Sequence, residues 1–311
     1  MTPIPHLTWW LLSVLIVLLG AGFWLFSPRH QLRLAFAILR RRARVGVRQC
    51  QLDFGRVSYL VSQHGSGTPI LYVHGFTGMK ENWLTLMAAM GRGRRQYALD
   101  LPGWGESERP AGLAHDFAAQ AERLVQFIQK EIGEPVDLVG HSMGGGVVAV
   151  LAARYPQWIR RLVLMDAAGV RFADNAFGEA VLAGGNPFAV TTVGEFKRFL
   201  ALVFEHPPYV PPRLARWLVR MRIADAAFEQ SVMEAIGRGP DAFLPEREAA
   251  AIQAPTLLLW CRQDRVIDSS AAAIYASIIP TGRVVMLEGR GHMPMMENTV
   301  ATAATLKEFL Q

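Results

Sequence analysis

From about residue 52 onward, short apolar runs alternate with stretches of helical period, and this alternation predicts an α/β domain built on a mostly parallel sheet of about eight strands with helices on both faces. The predicted strands are 56–62, 69–73, 95–99, 136–139, 162–165, 256–260 and 283–287. The later ones are unbroken apolar runs, as strands covered on both faces require. Between 170 and 250 the alternation stops and helical segments rich in Phe, Leu, Trp and Met replace it. That stretch reads as a helical cap inserted between a first core segment, 50–169, and a second, 251–311. Within it, Thr192-Val193-Gly194-Glu195 is a capping box ahead of the apolar-periodic 196–204. Pro207-Pro208 and Pro211-Pro212 end that helix and restart another over 213–221.

The N-terminal pattern is different. Residues 7–26 carry no charge, and 20 residues at about 1.5 Å each match the roughly 30 Å of a bilayer's hydrocarbon core. This predicts a transmembrane helix over 1–27, with Trp9, Trp10 and Trp24 near its two ends. A cleaved signal peptide is the alternative, but no Lys or Arg precedes the apolar run and no small-x-small site lies before Pro28. Gly20-Ala21-Gly22 would let two spans approach, which suggests a homodimer. A basic segment, 28–49, follows. Within it 31–44 reads as a helix resting partly among lipid headgroups, or else as a solvated basic linker.

Charge sharpens this picture. The net charge is +6, yet Arg29, Arg33, Arg40, Arg41, Arg42, Arg44 and Arg48 all precede the first acidic residue, Asp53. Removing those seven from 32 lysines and arginines leaves 25 against 26 acidic residues. The excess belongs to one short segment, which points to anionic lipids and away from nucleic acid. By the positive-inside rule the span would lie in the cytoplasmic membrane with the globular domain on the cytoplasmic side. Of the two cysteines, Cys261 lies in an apolar run and reads as core, so no disulfide framework is implied. No CxxC or HExxH occurs and the eight histidines are dispersed, so neither a metal nor a cofactor is expected.

The chemistry concentrates at Gly140-His141-Ser142-Met143-Gly144, a G-x-S-x-G turn between the strand at 136–139 and a helical stretch, 145–153. A serine hydroxyl attacks a carbonyl usefully only when a base takes its proton and a third group orients the base. His74-Gly75-Phe76-Thr77-Gly78 follows another strand, so the N–H groups of Phe76 and Met143 form the natural oxyanion pair. Asp264 and His292 stand just past the strands at 256–260 and 283–287, at the C-terminal strand ends where an open sheet places its crevice. The order is Ser142, Asp264, His292. His141, beside the serine, is not expected to be the base. Asp268 reads as a cap for the helix that begins near Ser270.

Residues 50–311 thus resemble the α/β-hydrolase superfamily, through Val73-His74-Gly75-Phe76, Asp100-Leu101-Pro102-Gly103-Trp104-Gly105-Glu106-Ser107, the serine turn, Gln263-Asp264 and Gly291-His292. The N-terminal span, Val219-Arg220-Met221-Arg222-Ile223 and Leu259-Trp260-Cys261-Arg262-Gln263-Asp264 further resemble membrane-anchored monoacylglycerol lipases and bacterial membrane-anchored phospholipase A and esterases. Cys261 departs from the Gly usual there, a change expected to matter little for chemistry. The resemblance implies a serine triad with Asp264 as the acid. Asp166, where a minority of relatives keep the acid, is the alternative, and Asp100 is expected to hold its loop.

A lipid acyl ester is therefore the expected substrate: a monoacylglycerol, lysophospholipid or phospholipid. Phe177, Phe188, Phe196, Phe199, Leu202, Phe204 and Trp217 are candidates to wall an acyl tunnel, with ordinary helix packing as the alternative. A general carboxylesterase and a carbon–carbon bond hydrolase use the same triad and stay open. A non-catalytic lipid-binding module is the reading from another class.

Overall fold

Val45–Leu52 (β1) and Gly55–Ser62 (β2) form an antiparallel hairpin paired along its whole length, from Val45 opposite Ser62 to Leu52 opposite Gly55. In this computed structural model, which describes residues 10–17, 20, 22, 27–62 and 64–311, the hairpin is one edge of a mixed sheet. The other strands are Ile70–Val73 (β3), Gln96–Leu99 (β4), Val136–His141 (β5), Ile159–Met165 (β6), Thr256–Cys261 (β7) and Gly282–Leu287 (β8). Among the described residues the sheet has 8 strands in the order β1-β2-β4-β3-β5-β6-β7-β8. β2 meets β4 antiparallel, and every pairing from β4 through β8 is parallel.

Alternation along the central strands divides the core in two. Leu71, Val73, Leu138, Leu162, Leu164, Leu258 and Trp260 point to one side, while Tyr72, Val139, Val163, Met165, Leu257, Leu259 and Cys261 point to the other. This period of two on fully buried strands is what permits helices on both faces. The helices are Pro28–Ala43 (α1), Leu84–Met90 (α2), Phe117–Phe127 (α3), Met143–Arg154 (α4), Ala176–Leu182 (α5), Val193–Val203 (α6), Pro212–Gly237 (α7), Leu244–Glu248 (α8), Ser270–Ile278 (α9), Pro294–Glu297 (α10) and Thr299–Phe309 (α11). α3, α4 and α9 cover the first face through Phe117, Leu151 and Tyr275. α1, α2 and α11 cover the second, with Phe36, Met87 and Leu306.

α5 to α8 are inserted between β6 and β7. Thr192 and Glu195 form the expected reciprocal cap of α6. α7 runs well past the predicted 213–221, because no Pro or Gly interrupts it before Gly237. Phe188 carries the insertion onto the sheet domain, with ring centroids 5.7 Å from Phe76, 4.8 Å from Phe177 and 5.6 Å from Phe199.

The N-terminal expectations need correction. No helix among the described residues is long and apolar enough to cross a membrane. The single span, the cytoplasmic-membrane placement built on it and the pairing of spans through Gly20-Ala21-Gly22 are therefore not supported. Residues 1–9, 18–19, 21 and 23–26, including Trp9, Trp24 and Ala21, lie outside the described residues. The basic segment also differs from the linker reading. Phe36 and Leu39 of α1 pack on the core, Arg40 pairs with Glu81, and β1 already begins at Val45. As an edge strand, β1 buries only its two ends, Val45 and Leu52, which leaves little periodic signal in its sequence.

The central strands carry the stability of this arrangement. Leu138→Ala, at a residue 0% exposed, is expected to cost about 2–5 kcal/mol. Val284→Ala, on the edge strand at 39% exposure, is expected to cost less than about 1 kcal/mol. Urea denaturation midpoints, compared at unchanged slope, read the difference.

Candidate active site

Because β3 and β5 to β8 are parallel, the loops that leave their C-terminal ends gather at one edge of the sheet. Ser142 lies between β5 and α4 with φ 53° and ψ −122°, a conformation that is costly for an L residue outside a constrained turn. Its N–H donates to the Met165 carbonyl at 3.0 Å, and its own carbonyl accepts from Ala168 at 3.0 Å and Gly146 at 3.2 Å. Those bonds to β6 and α4 hold the strained residue. The turn also needs glycine: a Cβ on Gly144 would lie 2.4 Å from the His74 carbonyl oxygen.

The loop after β3 presses against this turn. A Cβ on Gly75 would lie 2.8 Å from the Ser142 Cβ, which brings the backbone of Phe76 beside the serine. Phe76 and Met143 both line the space in front of Ser142, and neither backbone N–H has a protein acceptor among the described residues. His74 braces the loop. Its Nε2 accepts from the Leu101 N–H at 3.0 Å, so Nδ1 carries the proton and donates to the Gly75 carbonyl at 2.8 Å. Burial pushes the His74 pKa down to about 4. Asp100, expected to hold its loop, accepts from the backbone N–H of Lys80 at 2.7 Å and of Glu106 at 2.8 Å. It also pairs with the Lys80 ammonium at 2.7 Å.

His292 and Asp264 meet at 2.7 Å between Nδ1 and Oδ2. The carboxylate fixes the tautomer, so Nδ1 is the donor and Nε2 stands free as an acceptor. Asp264 Oδ1 accepts from the Val266 N–H at 2.7 Å and the Ile267 N–H at 3.1 Å. His141 is occupied elsewhere: its Nε2 donates to the His292 carbonyl at 2.6 Å. Burial, followed by the neighbouring His292, holds His141 well below the ordinary histidine range. Asp268 caps α9, accepting from the Ser270 N–H at 2.9 Å. Asp166 was the alternative acid. His292 pairs with Asp264 and not with it, but Asp166 lies directly behind the pair, with Cys261 against it.

Two cavities open from Ser142, and Phe76, Ser142 and Phe188 wall both. One, of about 380 Å³, continues on the Met143 side between Phe177, Val181, Met233, Ile236 and Ile267. The other, of about 450 Å³, contains His292 and runs past Phe199, Trp217 and Met221 to Leu32 of α1. The aromatic residues expected to form one tunnel are divided between them: Phe177 lines the first, and Phe196, Phe199, Phe204 and Trp217 line the second. Leu202 lines neither and packs on the core. The apolar spacing of Met233 and Ile236 on α7 was visible in the sequence but is shared with any packed helix, so these wall residues were missed. The charged residues of the second cavity pair among themselves, Arg222 with Glu229 at 2.7 Å and Arg109 with Asp225 at 2.8 Å. No group of acidic, His or Cys side chains able to hold a metal occurs among the described residues.

His74 makes the loop pH-sensitive. A histidine whose folded pKa lies at about 4 against an ordinary 6.5 stays neutral in the fold while the unfolded chain takes up a proton, so stability falls as pH drops from 6.5 towards about 4. His74→Gln is expected to flatten the stability–pH slope across this window by close to one proton, as read by denaturant titration at stepped pH.

The match to known proteins follows this geometry. Residues 68–299 match the family model described as alpha/beta hydrolase fold. Lipase 1 of Psychrobacter immobilis is 30% identical over 275 residues, covering 87% of this chain and 86% of that protein. Human monoacylglycerol lipase ABHD6 is 29% identical over 310 residues, covering 96% and 92%. The crystal structure of a membrane phospholipase A, described as a novel bacterial virulence factor, superposes with a TM-score of 0.87 at 34% identity, covering 97% of this chain and 98% of that one. With the family model matched over residues 68–299 of 311, this chain belongs to the α/β-hydrolase fold family.

Proposed function

We propose that this protein is a serine ester hydrolase that cleaves the acyl esters of lipids through Ser142, with His292 as base and Asp264 as its orienting acid. The observation that carries the reading is the place of Ser142, at the junction of two cavities and in the same cavity as a histidine whose tautomer Asp264 sets. His292 Nε2 takes the Ser142 proton as Oγ attacks the carbonyl carbon. The N–H groups of Phe76 and Met143 bind the oxyanion, a contribution of about 10²- to 10³-fold per donor. Collapse expels the alcohol, which receives the proton from His292. A water activated by the same histidine then releases the fatty acid.

That proton delivery orients the substrate. The leaving oxygen must lie on the His292 side, so the alcohol portion occupies the cavity that contains His292 and Trp217. The acyl chain then extends into the cavity beyond Met143, between Val181, Met233 and Ile236. Phe188 divides the two. The named lipases and the phospholipase A among the relatives support a lipid ester as substrate. α1 adds a surface suited to anionic lipid headgroups: Arg29, Arg33, Arg41 and Arg42 are exposed beside exposed Leu34 and Ile38, and Leu32 reaches the alcohol-side cavity.

Two experiments test this. Ser142→Ala should abolish labelling by a fluorophosphonate probe, and labelling at the wild-type level would contradict the assignment. Val181→Trp, which fills the acyl arm, should lower kcat/KM for a long-chain p-nitrophenyl ester at least tenfold while sparing p-nitrophenyl acetate. An equal loss on both esters would contradict the orientation.

A further inference from the structure

Asp166 is a carboxyl that the mechanism above does not use. It directly follows β6, at φ 45°, in the left-handed region that Asp and Asn tolerate better than most side chains. It is 0% exposed. Its Oδ1 accepts the Cys261 N–H at 2.8 Å, whereas Oδ2 is sealed from solvent without a donor. Around the side chain stand the Cys261 thiol and Asp264, with Glu297 of α10 and His292 beyond them.

Two adjacent carboxyls withdrawn from water cannot both be charged. The donors available to each decide which one ionises. Asp264 has three: the N–H groups of Val266 and Ile267 and the His292 Nδ1–H. Asp166 has the Cys261 N–H and, besides it, only the weakly donating Cys261 thiol. The geometry points to Asp166 as a neutral carboxylic acid whose Oδ2–H donates to the ionised Asp264, a positioning residue for the Asp264–His292 pair. The otherwise orphaned Oδ2 thereby gains a role as donor. Burial, and then the Asp264 charge, push the Asp166 pKa well above the usual carboxylate range. Burial likewise pushes the Cys261 thiol up, and it stays protonated. The proton stays on Asp166 throughout turnover, and its hydrogen bond draws density from the Asp264 carboxylate and holds it towards His292. Cys261, which sequence reasoning treated as inert core, thus supplies the one backbone donor that fixes this acid.

This inference rests on the Ser142–His292–Asp264 reading, and two measurements separate its failure from that of the reading. The first needs no turnover. In infrared difference spectra of the resting protein against Asp166→Asn, wild type should show the carbonyl stretch of a neutral carboxyl near neutral pH, and its absence would overturn the proposal. The second is the acid limb of kcat/KM against pH. Asn keeps an acceptor for the Cys261 N–H and a donor for Asp264 and tolerates the backbone conformation, so Asp166→Asn should leave that limb within about 0.3 pH unit of wild type. Asp166→Ala removes the donor, leaves the Asp264 charge undiluted beside His292, and should raise the limb while lowering kcat about tenfold or more. If Asp166 were charged, both variants would lower the limb by about one unit. A fall in both, or no movement in either, overturns the proposal.

Discussion

Ser142 keeps a backbone conformation that a free chain avoids, with φ at 53°, and much of the molecule is arranged around that constraint. The strand before it is buried along its whole length, the helix after it is buried at ten consecutive positions from Met143 to Ala152, and its N–H and carbonyl are tied to β6 and the loop beyond. The strain lifts the hydroxyl out of the sheet edge. It also brings Gly144 so close to the loop after β3 that no side chain fits between them. One turn thereby holds the proposed nucleophile beside the backbone N–H groups of Phe76 and Met143, a task that a flexible loop could not perform.

Parallel strands supply the rest. Each residue of the proposed site follows the C-terminal end of a strand, so the sheet register that aligns β5, β6 and β7 also aligns Ser142, Asp166 and Asp264. The helical insertion closes over this edge without filling it. Phe188 meets Phe76, Phe177 and Phe199 and so divides the covered space on either side of the serine. A substrate with two dissimilar ends, one apolar chain and one alcohol, suits a space divided in this way.

Much of this was legible in the sequence, for physical reasons that also mark where it stopped. The central strands are fully buried and therefore continuous in hydropathy, and β5, β6 and β7 fall where the apolar runs predict them. The glycine-flanked serine, the Asp and the His carry local signals of turn and strand end. β1 was not legible, because an edge strand with most of its residues exposed has no apolar stripe. The apolar run at 7–26 pointed to a membrane span that the described helices do not support. The contact of Asp166 with Asp264 joins residues almost a hundred positions apart through β6 and β7. The division of the aromatic residues between two cavities depends on how α5 to α7 fold back, which spacing along each helix does not encode.

In the proposed reaction, acyl transfer at Ser142 sends the chain past Met143 and the alcohol towards His292. A crystal structure of the protein inactivated by a long-chain alkyl phosphonate tests it most directly. The account predicts phosphorus bonded to Ser142 Oγ, a phosphoryl oxygen facing the N–H groups of Phe76 and Met143, and the alkyl chain between Val181 and Ile236. Phosphorus on another residue, or a chain running out past Trp217, would contradict it.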